Sequence, residues 1–134
     1  MLTYLIDEDP ISLYVTELLL ELEHFAGRVL PFTSAEDALA HLLPRLQSPS
    51  ELPQVIFLDL NMPVMDGWKF LEALAPYEDE LRGHCRVYIL TSSLAQADTA
   101  KAKNYALVSG VIHKPLDEEE IRAISADMSQ AANA

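Results

Sequence analysis

The stretch VIFLDLNMPVMDGWKFL, Val55 to Leu71, decides the fold. Four apolar residues, Val55 to Leu58, run directly into Asp59, and then come Pro63, an Asp66-Gly67 turn and a helix-like pattern. An unbroken apolar run of this length predicts a strand over residues 54–58 that is buried on both faces, as in a parallel sheet covered by helices. Gly67 to Ala75 predicts the helix that follows it. A carboxylate at the tip of such a strand is either a cap or loop residue or a reactive group, and Asp59 alone does not decide between them.

Outward from this stretch, short apolar runs alternate with amphipathic segments. Leu2 to Ile6 and Arg28 to Phe32 predict two strands before it, the second at an edge because of Pro31. Arg86 to Leu90 and Val108 to Ile112 predict two strands after it. Asp9 is placed to cap a first helix with Pro10 at its first position, and Ile11, Val15, Leu18, Leu19 and Leu22 recur at helical spacing until Gly27. Thr33 or Ser34 caps a second helix, AEDALAHLLPRL, which Pro44 kinks or shortens. QSPSELP reads as loop. Ala95 to Tyr105 predicts a fourth helix, and Asp117 caps a fifth that runs to about Met128, with 129–134 expected to fray. Five βα repeats imply one α/β domain over 1–134, its core in 2–128, with a parallel sheet and helices on both faces.

Composition narrows the function. The chain has 134 residues, half of them hydrophobic, which suits one domain with a sizeable core. A formal net charge of −12 argues against non-specific nucleic-acid binding and against an anionic membrane surface. The single cysteine, Cys85, rules out an intrachain disulfide and fits a reducing cytosol. MLTYLIDEDP lacks the basic region and apolar length of a signal peptide, and no apolar run reaches membrane-spanning length. The expectation is a soluble, cytoplasmic, acidic protein.

Ligands of an open α/β sheet bind beyond the carboxyl ends of the strands. Asp7, Glu8 and Asp9 follow the first predicted strand, Asp59 the third, Thr91 with Ser92 and Ser93 the fourth, and Lys114-Pro115 the fifth. Several carboxylates brought together repel one another, and a hard divalent cation with oxygen ligands relieves that repulsion. A lysine and a hydroxyl beside them suit the oxygens of a phosphoryl group, and an aspartate can serve as its nucleophilic acceptor.

These residues resemble the receiver domain of two-component response regulators, a bacterial phosphorelay family, across essentially the whole chain. LIDEDP, VIFLDLNMPVMDGWKFL, ILTSS and HKPL carry the resemblance by their sequence and order, LDLNMPVMDG most specifically. It implies a flavodoxin-like three-layer αβα sandwich with strand order 2-1-3-4-5. Asp59 matches the phosphoacceptor, Thr91 the switch hydroxyl and Lys114 the lysine that pairs with phosphoryl oxygens. For Mg²⁺ the resemblance implies Glu8 and Asp59 as ligands, the backbone carbonyl of Asn61 as a third, and Asp7 through water. Lys114-Pro115 matches a cis peptide bond. The implied partners are a sensor histidine kinase or phosphotransfer protein and a downstream protein, met through a surface near helix four, strand five and helix five; homodimerisation is compatible with the family. Such a protein is not a conventional enzyme, although it catalyses its own phosphorylation and dephosphorylation.

Two departures stand out. The acidic pair is Asp7-Glu8 rather than two aspartates, and Val111 occupies a position where many receivers carry a switching aromatic. Val111 keeps open an alternative, a receiver-fold binding module that works without phosphorylation. The resemblance implies that Ser93 and Asn61 border the route of an attacking water, which makes them candidates to tune dephosphorylation. A haloacid-dehalogenase-type phosphatase also uses an aspartyl nucleophile but wants a second Asp where Asn61 stands, and a flavodoxin wants a phosphate-cradling loop where DEDP stands. Considered singly, Asp9 and Asp117 read as caps, Asp66-Gly67 as a turn, and His24, His41, His84 and His113 as residues away from the chemistry.

Overall fold

The computed structural model describes residues 2–25, 27–62, 64–92 and 96–133. Its strands are β1 (Leu2–Ile6), β2 (Arg28–Phe32), β3 (Val55–Asp59), β4 (Arg86–Thr91) and β5 (Val108–His113). They form one parallel sheet in the order β2-β1-β3-β4-β5. Helices α1 (Pro10–Leu22), α2 (Ala35–Leu42), α3 (Gly67–Leu74), α4 (Gln96–Ala102) and α5 (Glu118–Asn133) alternate with them. The flavodoxin-like α/β architecture and strand order are those expected.

Strand periodicity sorts the core into two layers. Tyr4, Ile6, Ile56, Leu58, Val87 and Ile89 face Ala38 and Leu42 of α2 and Phe70 and Leu74 of α3. Leu5, Val55, Phe57, Tyr88, Leu90 and Ile112 face Leu13 and Leu20 of α1 and Ile121 and Ile124 of α5. Phe57 and its neighbours in β3 are buried, as both-face coverage requires. Each fully buried large apolar side chain contributes roughly 1.5–3 kcal/mol.

Local chemistry fixes the helix starts. Asp9 accepts the Ile11 N–H at 3.0 Å with Pro10 at the first helical position. Ser34, not Thr33, caps α2 by accepting the Asp37 N–H at 3.1 Å. Asp66, read from sequence as a turn residue, also caps α3 through the Lys69 N–H at 2.9 Å. Asp117 accepts the Glu120 N–H at 2.8 Å, and Glu120 accepts the Asp117 N–H at 3.2 Å, a reciprocal capping box.

Several boundaries differ from the sequence reading. β3 begins at Val55 rather than Gln54. β3, β4 and β5 each run one residue further, because Asp59 pairs with Leu90 and Thr91 with His113. α2 ends at Leu42, and Pro44 sits in a 3₁₀ turn over Leu43–Arg45. A 3₁₀ turn over Ala75–Tyr77 and a one-turn helix over Glu78–Leu81 were not legible. α4 ends at Ala102, and tighter bonds such as Tyr105 N–H to Ala102 C=O then turn the chain; the expected start at Ala95 lies outside the described residues. α5 continues to Asn133 where fraying was expected; no Gly or Pro interrupts SQAAN.

Of the seam that marks α1 in the sequence, Ile11, Val15, Leu18 and Leu22 face solvent and Leu19 packs half-buried against the core. The buried residues of α1 are Leu13, Thr16 and Leu20. Ile11 is 76% exposed and Leu22 68%, with Tyr14, Val15 and Leu18 exposed between them. α1 is thus apolar on two sides, one for the core and one left open.

Candidate functional site

The carboxyl ends of β1, β3, β4 and β5 converge on one polar cluster. Asp7 follows β1 and is only 1% exposed; Asp59 ends β3 and is 5% exposed; Thr91 ends β4 and is buried. Lys114 directly follows β5, and its N–H donates to the Thr91 carbonyl at 2.8 Å, which ties the lysine to the end of β4. The Lys114-Pro115 peptide bond is cis.

Lys114 is the hub. Its ammonium lies 2.9 Å from Asp7 Oδ2 and 3.3 Å from Asp59 Oδ2. The other oxygen of each carboxylate meets backbone. Asp7 Oδ1 accepts the Asp9 N–H at 3.0 Å, and Asp59 Oδ1 accepts the Asn61 N–H at 3.2 Å. Both side chains are therefore oriented before any ligand arrives.

The two carboxylates differ electrostatically. Burial raises the Asp59 pKa above its usual range, and the neighbouring Asp7 adds to this; the Lys114 charge and the Asn61 N–H offset it only in part. Burial also pushes Asp7 upward, but hydrogen bonds from Lys114, Ser12 and the Asp9 backbone outweigh it and hold Asp7 low. Burial opposes the charge on Lys114, yet its bonds and proximity to both carboxylates keep its pKa above the ordinary lysine value. The net result is one ammonium between two carboxylates, with Asp59 the less well compensated.

Glu8, the residue after Asp7, is exposed, and Asn61 is exposed next to Asp59. Among the described residues, no three His, Cys, Asp or Glu side chains gather as a metal-binding group. The donors that do gather suit Mg²⁺ nonetheless, since this ion commonly takes one or two carboxylates and completes its octahedron with water. The partly uncompensated repulsion between Asp7 and Asp59 is what a hard cation would relieve.

The loop after Asp59 is packed tightly against the site. The Gly67 N–H donates to the Leu60 carbonyl at 3.1 Å. A Cβ at Gly67 would stand 2.8 Å from Leu60 Cδ2 and 3.0 Å from the Asp59 carbonyl oxygen. Only glycine lets α3 start so close to the end of β3.

The structure thus brings Asp7, Asp59, Thr91 and Lys114 together at one end of the sheet, while Glu8 and Asn61 are exposed beside Asp7 and Asp59 in the chain. Ser93 and Pro63 lie outside the described residues. His113 is exposed, and Val111 is half-buried against the core opposite Ile89. Sequence reasoning missed Ser12, whose hydroxyl lies 3.4 Å from Lys114 Nζ. Its position in the first turn of α1, just after Asp9-Pro10, was the available signal. The stack of Trp68 on Tyr105, with centroids 5.7 Å apart, and Lys101 4.7 Å above the indole were also missed, as they join segments distant in sequence.

Comparison with known proteins bears on the family and the fold. The family profile described as response regulator receiver domain matches residues 3–126. A two-component response regulator from Cytophaga hutchinsonii superposes with a TM-score of 0.86 at 25% identity, covering 99% of this chain and 97% of that one. The bacteriophytochrome response regulator RtBRR gives 0.76 at 27% identity, covering 95% and 76%. A CheY-like receiver domain protein from Methanospirillum hungatei gives 0.75 at 20% identity, covering 98% and 96%, a likeness of fold alone. A search of curated protein sequences found no match.

Proposed function

Because the chain belongs to the response regulator receiver domain family, we propose that it is a phosphorelay receiver that accepts a phosphoryl group on Asp59. The observation that carries this reading is the placement of Lys114 Nζ within 3.3 Å of both buried carboxylates, beside the Thr91 strand end. Such a cluster fixes a nucleophile and supplies positive charge where a phosphoryl group would develop negative charge.

In this reading an ionised Asp59 oxygen forms the new P–O bond as the bond between phosphorus and the donor's leaving group breaks, the leaving group keeping the electron pair. The backbone N–H of Asn61 holds one Asp59 oxygen and leaves the other to react. Lys114 moves from Asp59 Oδ2 to a phosphoryl oxygen, still anchored by Asp7, and the Thr91 hydroxyl turns towards another. Asp59, Glu8, the Asn61 carbonyl and, through water, Asp7 would hold Mg²⁺, which when bound neutralises phosphoryl charge. The cycle ends in hydrolysis of the aspartyl phosphate, so the protein is substrate and catalyst of its own turnover rather than a conventional enzyme.

The donor would be a histidine kinase or phosphotransfer protein. The open apolar stripe of α1 supports a protein donor, because Ser12 places the same helix against Lys114. Ile11, Val15, Leu18 and Leu22 follow the four-three-four spacing that packs against another helix. No described helix is long and apolar enough to cross a membrane. The buried Cys85 fits a reducing cytoplasm.

Incubation with a small phosphodonor and Mg²⁺ tests the reading. One added phosphoryl mass that is absent from Asp59→Asn supports it, and an equal increment in that variant excludes it. A second reading, binding without phosphorylation, draws on Val111, which has no ring to swing between core and surface. Equal partner affinity with and without a phosphoryl mimic would favour it.

A further inference from the structure

Four of the five arginines lie at the amino end of the sheet, the end opposite Asp59. Arg28 opens β2, Arg86 opens β4, Arg82 just precedes β4 and Arg45 closes the turn after α2. They line two clefts that share Gln54. One, of about 1000 Å³, holds Arg82 and Arg86 with His24 and His84. The other, of about 470 Å³, holds Arg28 and Arg45 with His41.

This is positive ground on a chain of net charge −12. The larger cleft is lined by no carboxylate and the smaller by Glu51 alone, among the described residues. None of the four guanidinium groups takes part in an ion pair among the described residues. Arg45 donates to the His41 carbonyl at 2.6 Å. Burial lowers the His41 pKa, and the charges of Arg45 and Arg28 lower it further, as a locally positive field requires.

Spacing selects the ligand. Arg28 and Arg86 are separated by three strand steps, β2 to β1 to β3 to β4, roughly 14 Å at about 4.8 Å a step, and the register sets them on opposite faces of the sheet, Arg28 level with Leu2 and Arg86 level with Thr3. From opposite faces the two side chains do not close on a single phosphate, whereas an extended peptide crossing the strand ends sends alternate side chains to either face. An extended peptide rising about 3.3 Å per residue covers the span with four or five residues and offers carboxylates along it. Phe25, Leu107 and Met128 give the larger cleft an apolar floor for the body of such a chain.

We propose that the amino end of the sheet is a docking site for an extended acidic segment of a partner protein. The surrounding negative charge does not forbid it. At physiological ionic strength fields fade over about 8 Å, so a segment seated among the arginines responds to them first. Guanidinium groups also pair bidentately with carboxylates.

The test is fluorescence anisotropy with a labelled peptide of about six glutamates, long enough to cover the span. Saturable binding is expected, weakened at least about tenfold in Arg28→Gln/Arg86→Gln. Lys101→Gln/Lys103→Gln removes the same charge elsewhere and should bind as the parent does. Arg82→Gln, at an exposed position, repeats the test with least risk to folding, and Asp59→Asn should bind normally because the site is independent of phosphorylation. Absence of saturable binding, or equal losses in the arginine and lysine pairs, overturns the proposal. So does inorganic pyrophosphate or an oligo-dT strand that binds as tightly as the peptide, since each points to another ligand class.

Discussion

Replacing Lys114 by methionine should cost stability chiefly through the two carboxylates it leaves behind. The Asp7 and Asp59 side chains are 1% and 7% exposed, and that of Lys114 is 22% exposed. Removing one partner of a buried ionic cluster typically costs about 3–5 kcal/mol, and partial access of water to the ammonium reduces this to about 2–3 kcal/mol. With a urea slope of about 1.5 kcal/mol per molar, the unfolding midpoint should fall by about 1.3–2 M near neutral pH. The pH dependence carries the sharper test. Asp7 has a lowered folded pKa, so its contribution is complete above its ordinary 3.8 and is lost as pH falls through the folded value. Lys114 has a raised folded pKa, so its contribution persists up to its ordinary 10.5 and is lost as pH rises through the folded value. In the variant both aspartates titrate higher and become neutral on mild acidification. The gap between parent and variant should therefore be widest at neutral pH and close in acid. A midpoint shift below about 0.3 M at neutral pH, or a gap that widens in acid, would refute the reasoning.

Further outcomes follow from the same contacts. Asp59→Asn should raise the melting temperature at neutral pH by about 2–5 °C, since the ionised carboxylate is disfavoured in the fold; the advantage should shrink as pH falls below the raised folded pKa and vanish by the ordinary 3.8, which calorimetry at two pH values checks. Gly67→Ala should destabilise by about 1–3 kcal/mol in urea titration, because its Cβ meets the backbone of Asp59 and Leu60. Leu18→Glu on the open side of α1 should leave stability within about 0.5 kcal/mol. It should also slow phosphotransfer from a protein donor at least about tenfold without slowing a small phosphodonor. Cys85 is buried and its thiol is pushed up to about 12, so a thiol reagent should modify it only in denaturant.

The sheet was legible because its signal is local. The runs LTYLI, VIFLD and RVYIL hold strands by composition alone, and the polar residues just past them are bound to meet at one end. Asp59 was ambiguous alone and became interpretable through Asp7, Thr91 and Lys114 at the ends of neighbouring strands. What stayed hidden depends on which side of an element faces what. In α1 the periodic seam of Ile11, Val15, Leu18 and Leu22 is open, while the less regular Leu13, Thr16 and Leu20 are buried. A helix apolar on two sides gives no local sign of which side the sheet will cover. The hydrogen bond of Tyr4 to His41 at 2.7 Å and the stack of Trp68 on Tyr105 were unreadable for a similar reason, being products of the completed fold. The basic end of the sheet likewise combines arginines that are scattered along the chain.

The central claim is that Asp59 carries the phosphoryl group, and its most direct test is chemical localisation. After treatment with a small phosphodonor and Mg²⁺, borohydride reduction converts an aspartyl phosphate to homoserine, which peptide mass mapping assigns to a position. The account predicts homoserine at position 59 and nowhere else, dependent on Mg²⁺ and on Lys114. Homoserine at Asp7 or another aspartate, or none at all with a competent donor, would contradict it.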